Sequence, residues 1–154
     1  MLPELQILRD IKDAFLTAFG IVLRVHFGDE IAVAEAKNAL SGTTHFDYWL
    51  VPDENDKQED LAQSTEGHIQ TFTADLLIFG RKPDAVVEEL YRILALIYKT
   101  ANLITGISDA PQKYGDVWFH RFDPRDDRIT MRAELYDGIW CVRQRLTISA
   151  SKDV

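Results

Sequence analysis

From His68 to Ala101 the chain reads HIQTFTADLLIFGRKPDAVVEELYRILALIYKTA, a pattern that predicts a long strand, a tight turn and a long helix lying on a sheet. Phe72, Ala74, Leu76 and Ile78 alternate with Thr71, Thr73, Asp75 and Leu77, the period of two that a half-buried strand requires. Both faces turn apolar by Leu77 and Phe79, as a central strand needs and an edge strand does not. Gly80 breaks the strand. Pro83 suits the first helical turn, where its missing N–H would have no partner, and Asp84, Glu88 and Glu89 suit the helix's positive end. Val87, Leu90, Tyr91, Leu94, Ile97, Tyr98 and Ala101 then follow at three- and four-residue steps and predict a continuous apolar stripe.

The rest of the chain reads as sheet and helix added to that core. Leu5, Leu8, Ile11, Phe15 and Phe19 recur at helical spacing between Pro3, which can start a helix, and Gly20, which can end one. In IVLRVHFG, Ile21, Leu23, Val25 and Phe27 alternate with Val22, Arg24 and His26 and predict a strand. The alanine-rich run Glu30 to Leu40 fits a short helix or a loosely ordered connection between Gly28 and Gly42. Thr43 to Pro52 predicts a second strand, with Phe46, Tyr48 and Leu50 on one face and Asp47 and Trp49 on the other. Leu103 to Ile107 is a short apolar run. Val117 to Pro124 predicts a strand with Trp118, His120 and Phe122 opposite Val117, Phe119 and Arg121. Last comes a hairpin: Ile129, Met131, Ala133 and Leu135 alternate toward Asp137-Gly138, two residues that tolerate positive φ. The returning strand puts Trp140, Val142, Leu146 and Ile148 opposite Cys141, Arg143, Arg145 and Thr147. The fold class expected is α+β: a mixed, mainly antiparallel sheet of four to six strands carrying a long helix and an N-terminal helix, with a C-terminal β-hairpin.

At 154 residues the chain is expected to form a single domain, 1–154, large enough to bury a core without disulfides or metal. A net charge of −8 opposes binding to nucleic acid or an anionic membrane. The start, MLPELQILRDIKDAF, lacks the basic beginning and unbroken apolar core of a secretion signal, and Leu90 to Ile107 is too interrupted for a membrane span. With Cys141 the sole cysteine, no internal disulfide can form and a reducing cytoplasm is the natural compartment.

Catalytic signals are missing. His26, His45, His68 and His120 lack the close spacings of local metal motifs, and Cys141 reads as a packed strand thiol, so neither metal nor cofactor nor enzymatic activity is expected. No phosphate-binding glycine loop, dinucleotide fingerprint or GxSxG elbow occurs. The FGRKPD turn offers two cations at a helix start but reads better as a surface turn than as an anion site.

Charge is unevenly spread, which points to interaction surfaces. Between Asp53 and Gly67, the acids Asp53, Glu54, Asp56, Glu59, Asp60 and Glu66 face one base, Lys57, and predict a mobile acidic loop too poor in apolar residues to order itself. Six of ten arginines fall late, among them Arg128, Arg132, Arg143 and Arg145. Arginines on strand faces suit bidentate pairing with carboxylates, so these four and Asp53, Glu54, Asp56, Glu59 and Asp60 are the candidate interaction residues; ordinary surface salt bridges are the competing reading.

In the order of its elements the chain resembles the tail terminator, or tail completion, proteins of long-tailed bacteriophages, of the lambda-like minor tail protein type. The segments that carry the resemblance are HIQTFTADLLIFGRKPDAVVEELYRIL, ANLITGISD and ELYDGIWCVRQRLTIS. The Glu30 to Leu40 insert and the Asp53 to Gly67 loop depart from it. The resemblance implies a virion structural protein of the tail and neck, assembled in the host cytoplasm, whose homo-hexameric ring caps the tail tube, stops its polymerisation and docks the head connector or stopper protein. Its partners would be itself, the tail tube protein and that connector, with no membrane. Six copies would carry about −48, a lumen past which DNA slides in transit without being bound. The alternatives are another neck component, such as a head-completion or stopper protein, a tail-tube relative, or a small cytoplasmic ligand-binding domain.

Overall fold

The computed structural model describes residues 3–25, 33–40, 45–52, 69–98, 112–124 and 128–152. Three helices, α1 (Pro3–Phe19), α2 (Val33–Leu40) and α3 (Pro83–Tyr98), accompany strands β1 (Leu23–Val25), β2 (Phe46–Pro52), β3 (Gln70–Gly80), β4 (Gln112–Tyr114), β5 (Val117–Pro124), β6 (Glu134–Tyr136) and β7 (Ile139–Lys152). The sheet runs β1-β2-β3-β7-β5-β4, six strands in continuous order, and β6 joins β7 outside that path. Only β1 and β2 are parallel, so the sheet is mixed and mainly antiparallel, in an α+β fold.

The long strand is central. β3 pairs with β2 along one edge and β7 along the other, the latter over eleven residues from Gln70↔Ala150 to Gly80↔Trp140. Phe72, Ala74, Leu76 and Ile78 join the main core with Leu50, Val142, Leu146 and Ile148, while Leu77 and Phe79 belong to a second core on the other face. There α2 buries Ala36 and Leu40 against Trp49, Leu77, Phe79 and Cys141, which settles the alanine-rich run as a helix from Val33.

The main core lies under α1 and α3. Ile7, Leu8, Ile11, Ala14 and Phe15 of α1 are buried, and α1 touches β1 at one end of the strand order and β4 at the other. The sheet therefore curls into a half-barrel around this helix. Phe15 packs on Phe119 and Phe122, and Phe19 on Tyr114 at 4.8 Å. Gly20 ends α1 at φ 69°, its N–H bonded to the Leu16 carbonyl at 3.0 Å, a left-handed cap that a Cβ would strain.

Four expectations need correction. Among the described side chains the buried stripe of α3 is Val86, Leu90, Ile93 and Leu94, with Glu89 buried beside it and Val87 and Tyr91 half-buried, while the side chains of Ile97 and Tyr98, and Ala101, lie outside the described residues. In β5 the register slips between Phe119 and Arg121, a bulge that puts Phe122 on the same face as Val117 and Phe119 and away from Trp118. The first arm of the C-terminal hairpin is only three residues long, because a side chain replaces backbone pairing at Thr130, and Met131 and Leu135 are exposed. A short strand, β4, joins β5 through a two-residue Gly115-Asp116 turn, with Gly115 at φ 59°. The Asp137-Gly138 turn is as expected, at φ 46° and 87°.

Candidate functional site

The side chains with interaction chemistry are arranged along β7. Arg143 and Arg145 project from the face opposite α1 and α3, the one that carries α2, toward Asp75, the β3 residue in register with Arg145, at 3.3 and 3.9 Å. Asp75 is shielded while both arginines are about half exposed, so the pair of cations shares one carboxylate inside the chain. Arg128 and Arg132 occupy the segment running along the β7 edge between β5 and β6, are exposed, and have no ion pair among the described residues. Met131 is 74% and Leu135 58% exposed beside them. The four arginines thus divide into two that are internally satisfied and two that line an open edge. Asp53, Glu54, Asp56, Glu59 and Asp60, and the acidic loop that contains them, lie outside the described residues.

A second surface lies at the other end of β7, where Val117 pairs with Lys152. Asp10, Asp13, Thr17, Gly115, Asp116 and Val117 line a cavity of about 210 Å³ between α1 and the β4–β5 turn. Asp10 is buried and accepts a hydrogen bond from Gln6 at 3.0 Å, whereas Asp13 and Asp116 are exposed. Leu16, one helical turn beyond Asp13, is 53% exposed.

Two further polar clusters hold the fold together. Glu89 of α3 is buried, accepts from the Tyr48 hydroxyl and pairs with Arg92, whose Nη2 lies 2.7 Å away. Burial first, and then the Glu89 carboxylate, push the Tyr48 phenol above its ordinary range, so it stays a donor. Asp47 accepts from the Trp49 indole N–H at 2.7 Å and pairs with Arg24 at 3.1 Å. Its pKa is raised by burial, against the lowering effect of Trp49 and Arg24. The sequence offered no sign of these cross-element partners, because a carboxylate within an apolar stripe reads as solvated.

Cys141 is buried and burial pushes its thiol up to about 12, so it is not an available thiolate. No group of three or more His, Cys, Asp or Glu side chains among the described residues is placed to hold a metal ion, and no helix among them is long and apolar enough to cross a membrane. His120 bonds Ser151 across the β5–β7 pair at 2.8 Å. No family model matches the chain, and no curated protein matches it.

Proposed function

We propose that the chain is a virion structural protein of the tail-terminator type, a homo-oligomeric ring, hexameric as the resemblance implies, that caps the tail tube, stops its polymerisation and offers a docking surface to the head connector. What supports the reading is the order and pairing of the elements: an N-terminal helix on the sheet, a long central β3 running through a two-residue junction into α3, and a C-terminal hairpin whose second strand pairs with β3 over its length. That arrangement is compatible with the small α/β protomer the resemblance implies. Such a protein works through surfaces, and exposed charged side chains stand on the outer face of β7 at Arg143 and Arg145 and along the segment leading into β6 at Arg128 and Arg132.

Electron microscopy of lysates from a phage lacking this gene tests it. Overlong or irregular tails beside DNA-filled, tailless heads are the expected result. Free tails of normal length with heads that leak DNA would move the assignment to a head-side neck protein, and intact virions would overturn a structural role.

A further inference from the structure

Among the described strands β6 pairs with β7 alone, so no described strand covers its outer edge, and the Arg128–Ala133 segment that leads into it is tied to β7 through Gln144. Natural edges of this kind are covered or guarded by charge. Here the guard is cationic, Arg128 and Arg132, but it stands beside Met131 and Leu135, two of the five large apolar side chains exposed among the described residues. Exposed apolar side chains interleaved with unpaired arginine describe a contact surface better than a solvated one.

The chain carries its own complement. Asp13 and Asp116 flank the cavity between α1 and the β4–β5 turn, and exposed Leu16 stands one helical turn from Asp13. Arg132 is opposite in charge to Asp13 and Asp116, Glu134 of β6 is engaged by the Tyr136 hydroxyl, and both surfaces carry exposed apolar side chains. β6 is in register with Ile139 to Cys141, whereas Val117, on the cavity wall, is in register with Lys152. The surfaces therefore sit at opposite ends of β7, about 40 Å apart at 3.3 Å per residue. One subunit cannot bring them together. Two non-overlapping, complementary surfaces are what a heterologous, head-to-tail contact requires, and such contacts close into rings when the rotation allows.

We propose that a second copy of this chain covers the β6 edge: Met131, Arg132 and Leu135 of one subunit seat against Asp13, Leu16 and Asp116 of the next. This pairing rests on the ring proposed above and names the surfaces that build it.

Sedimentation velocity on wild type, Arg132→Glu and the double variant Asp13→Arg/Asp116→Arg tests the pairing. All three positions are exposed, and thermal unfolding curves overlapping wild type establish that each variant folds. Wild type is expected to self-associate, less so as salt rises, and each variant alone to sediment as a monomer. Mixed one to one, the variants are expected to regain assembly, because the native edge of one meets the native cavity of the other and the reversed edge and reversed cavity are again opposite in charge. A folded variant that assembles like wild type overturns the pairing and leaves the ring standing on other surfaces. Two variants that stay monomeric when mixed also overturn it. A wild-type chain that is monomeric at every concentration overturns the pairing as self-association, and the tail-length phenotype then decides the capping function by itself.

Discussion

Gln144 holds Thr130 where β7, paired with β3 on one side, has no strand on the other. Its side-chain Oε1 accepts from the Thr130 N–H at 2.5 Å, and its Nε2 donates to the carbonyls of Arg128 at 2.8 Å and Arg145 at 2.9 Å. β5 leaves the β7 edge at Leu146 and β6 joins it at Cys141, so one amide side chain spans the gap between two pairing partners. Gln144 is 2% exposed on the helix-covered face, in phase with Val142 and Leu146. A polar residue at that position is tolerable because three hydrogen bonds satisfy it.

Replacing Gln144 by Leu keeps the bulk and removes the bridge. Part-buried groups at Thr130 and Arg128 lose their partner, so the expected cost is about 1–3 kcal/mol in denaturant unfolding. The local effect separates this from a general loss of packing. Amide exchange at Thr130 is expected to speed up more than at Ile78 or Val142, and equal acceleration at all three would refute the bridging role.

Gly80 is required for space. A Cβ there would stand 2.6 Å from Val86 Cγ1 and 3.2 Å from the Phe46 ring, both in or against the core where β3 hands over to α3. Gly80→Ala is expected to destabilise by about 1–3 kcal/mol through overpacking. Val86→Ala introduced on top of it is expected to cost less than Val86→Ala alone, since it removes the clashing methyl. Additive losses in that double-mutant cycle would show that the clash is relieved elsewhere.

The same junction marks what could be read in advance. Long periodic stretches declared themselves: β3 and its two apolar faces, α1 between Pro3 and Gly20, and the Asp137-Gly138 turn needed only local pattern. Short or interrupted elements did not. Three residues at Gln112–Tyr114 carry no period, and the β5 bulge at His120 reverses the alternation that a regular strand would keep. The phase of α3 was misread for a related reason. Glu89 looked like a surface acid near a helix start, and only its contact with Tyr48, forty-one residues earlier, makes an inward direction affordable. Of the candidate arginines, composition revealed that they were many and late, whereas which two would share Asp75 depended on the β3–β7 register.

The Tyr48–Glu89–Arg92 cluster predicts an order of effects. Glu89 is 7% exposed and Arg92 51%, so water can replace Glu89 around Arg92 and, once Arg92 is truncated, can enter its half-exposed place beside Glu89, whereas it cannot easily replace the Tyr48 hydroxyl. Glu89→Ala, which also strands the Tyr48 hydroxyl, is expected to cost most, Tyr48→Phe about 1–3 kcal/mol, and Arg92→Ala least. Urea midpoints at constant slope measure the series. Arg92→Ala costing as much as Tyr48→Phe would shift the weight to the ion pair.

Cys141 gives the chain an alkaline limit. Its thiol is pushed from an ordinary value near 9 to about 12 in the folded chain, chiefly by burial. Between those values the folded state holds a proton that the unfolded state has released, so stability declines as pH rises through that window and is fully present below it. Tyr48, also raised, acts in the same direction from its ordinary value of 10.0 upward. Cys141→Ala is expected to reduce the alkaline slope of unfolding free energy by up to one proton, while leaving the Tyr48 part, and to lower stability at neutral pH through the lost sulfur contacts with the α2-covered core. In the wild-type chain a thiol reagent at pH 8 is expected to label Cys141 at the rate of unfolding and not at the rate of a free thiol. An unchanged alkaline slope in the variant, or fast labelling of the native chain, would mean that this face of the sheet opens to solvent under α2 far more readily than its packing implies.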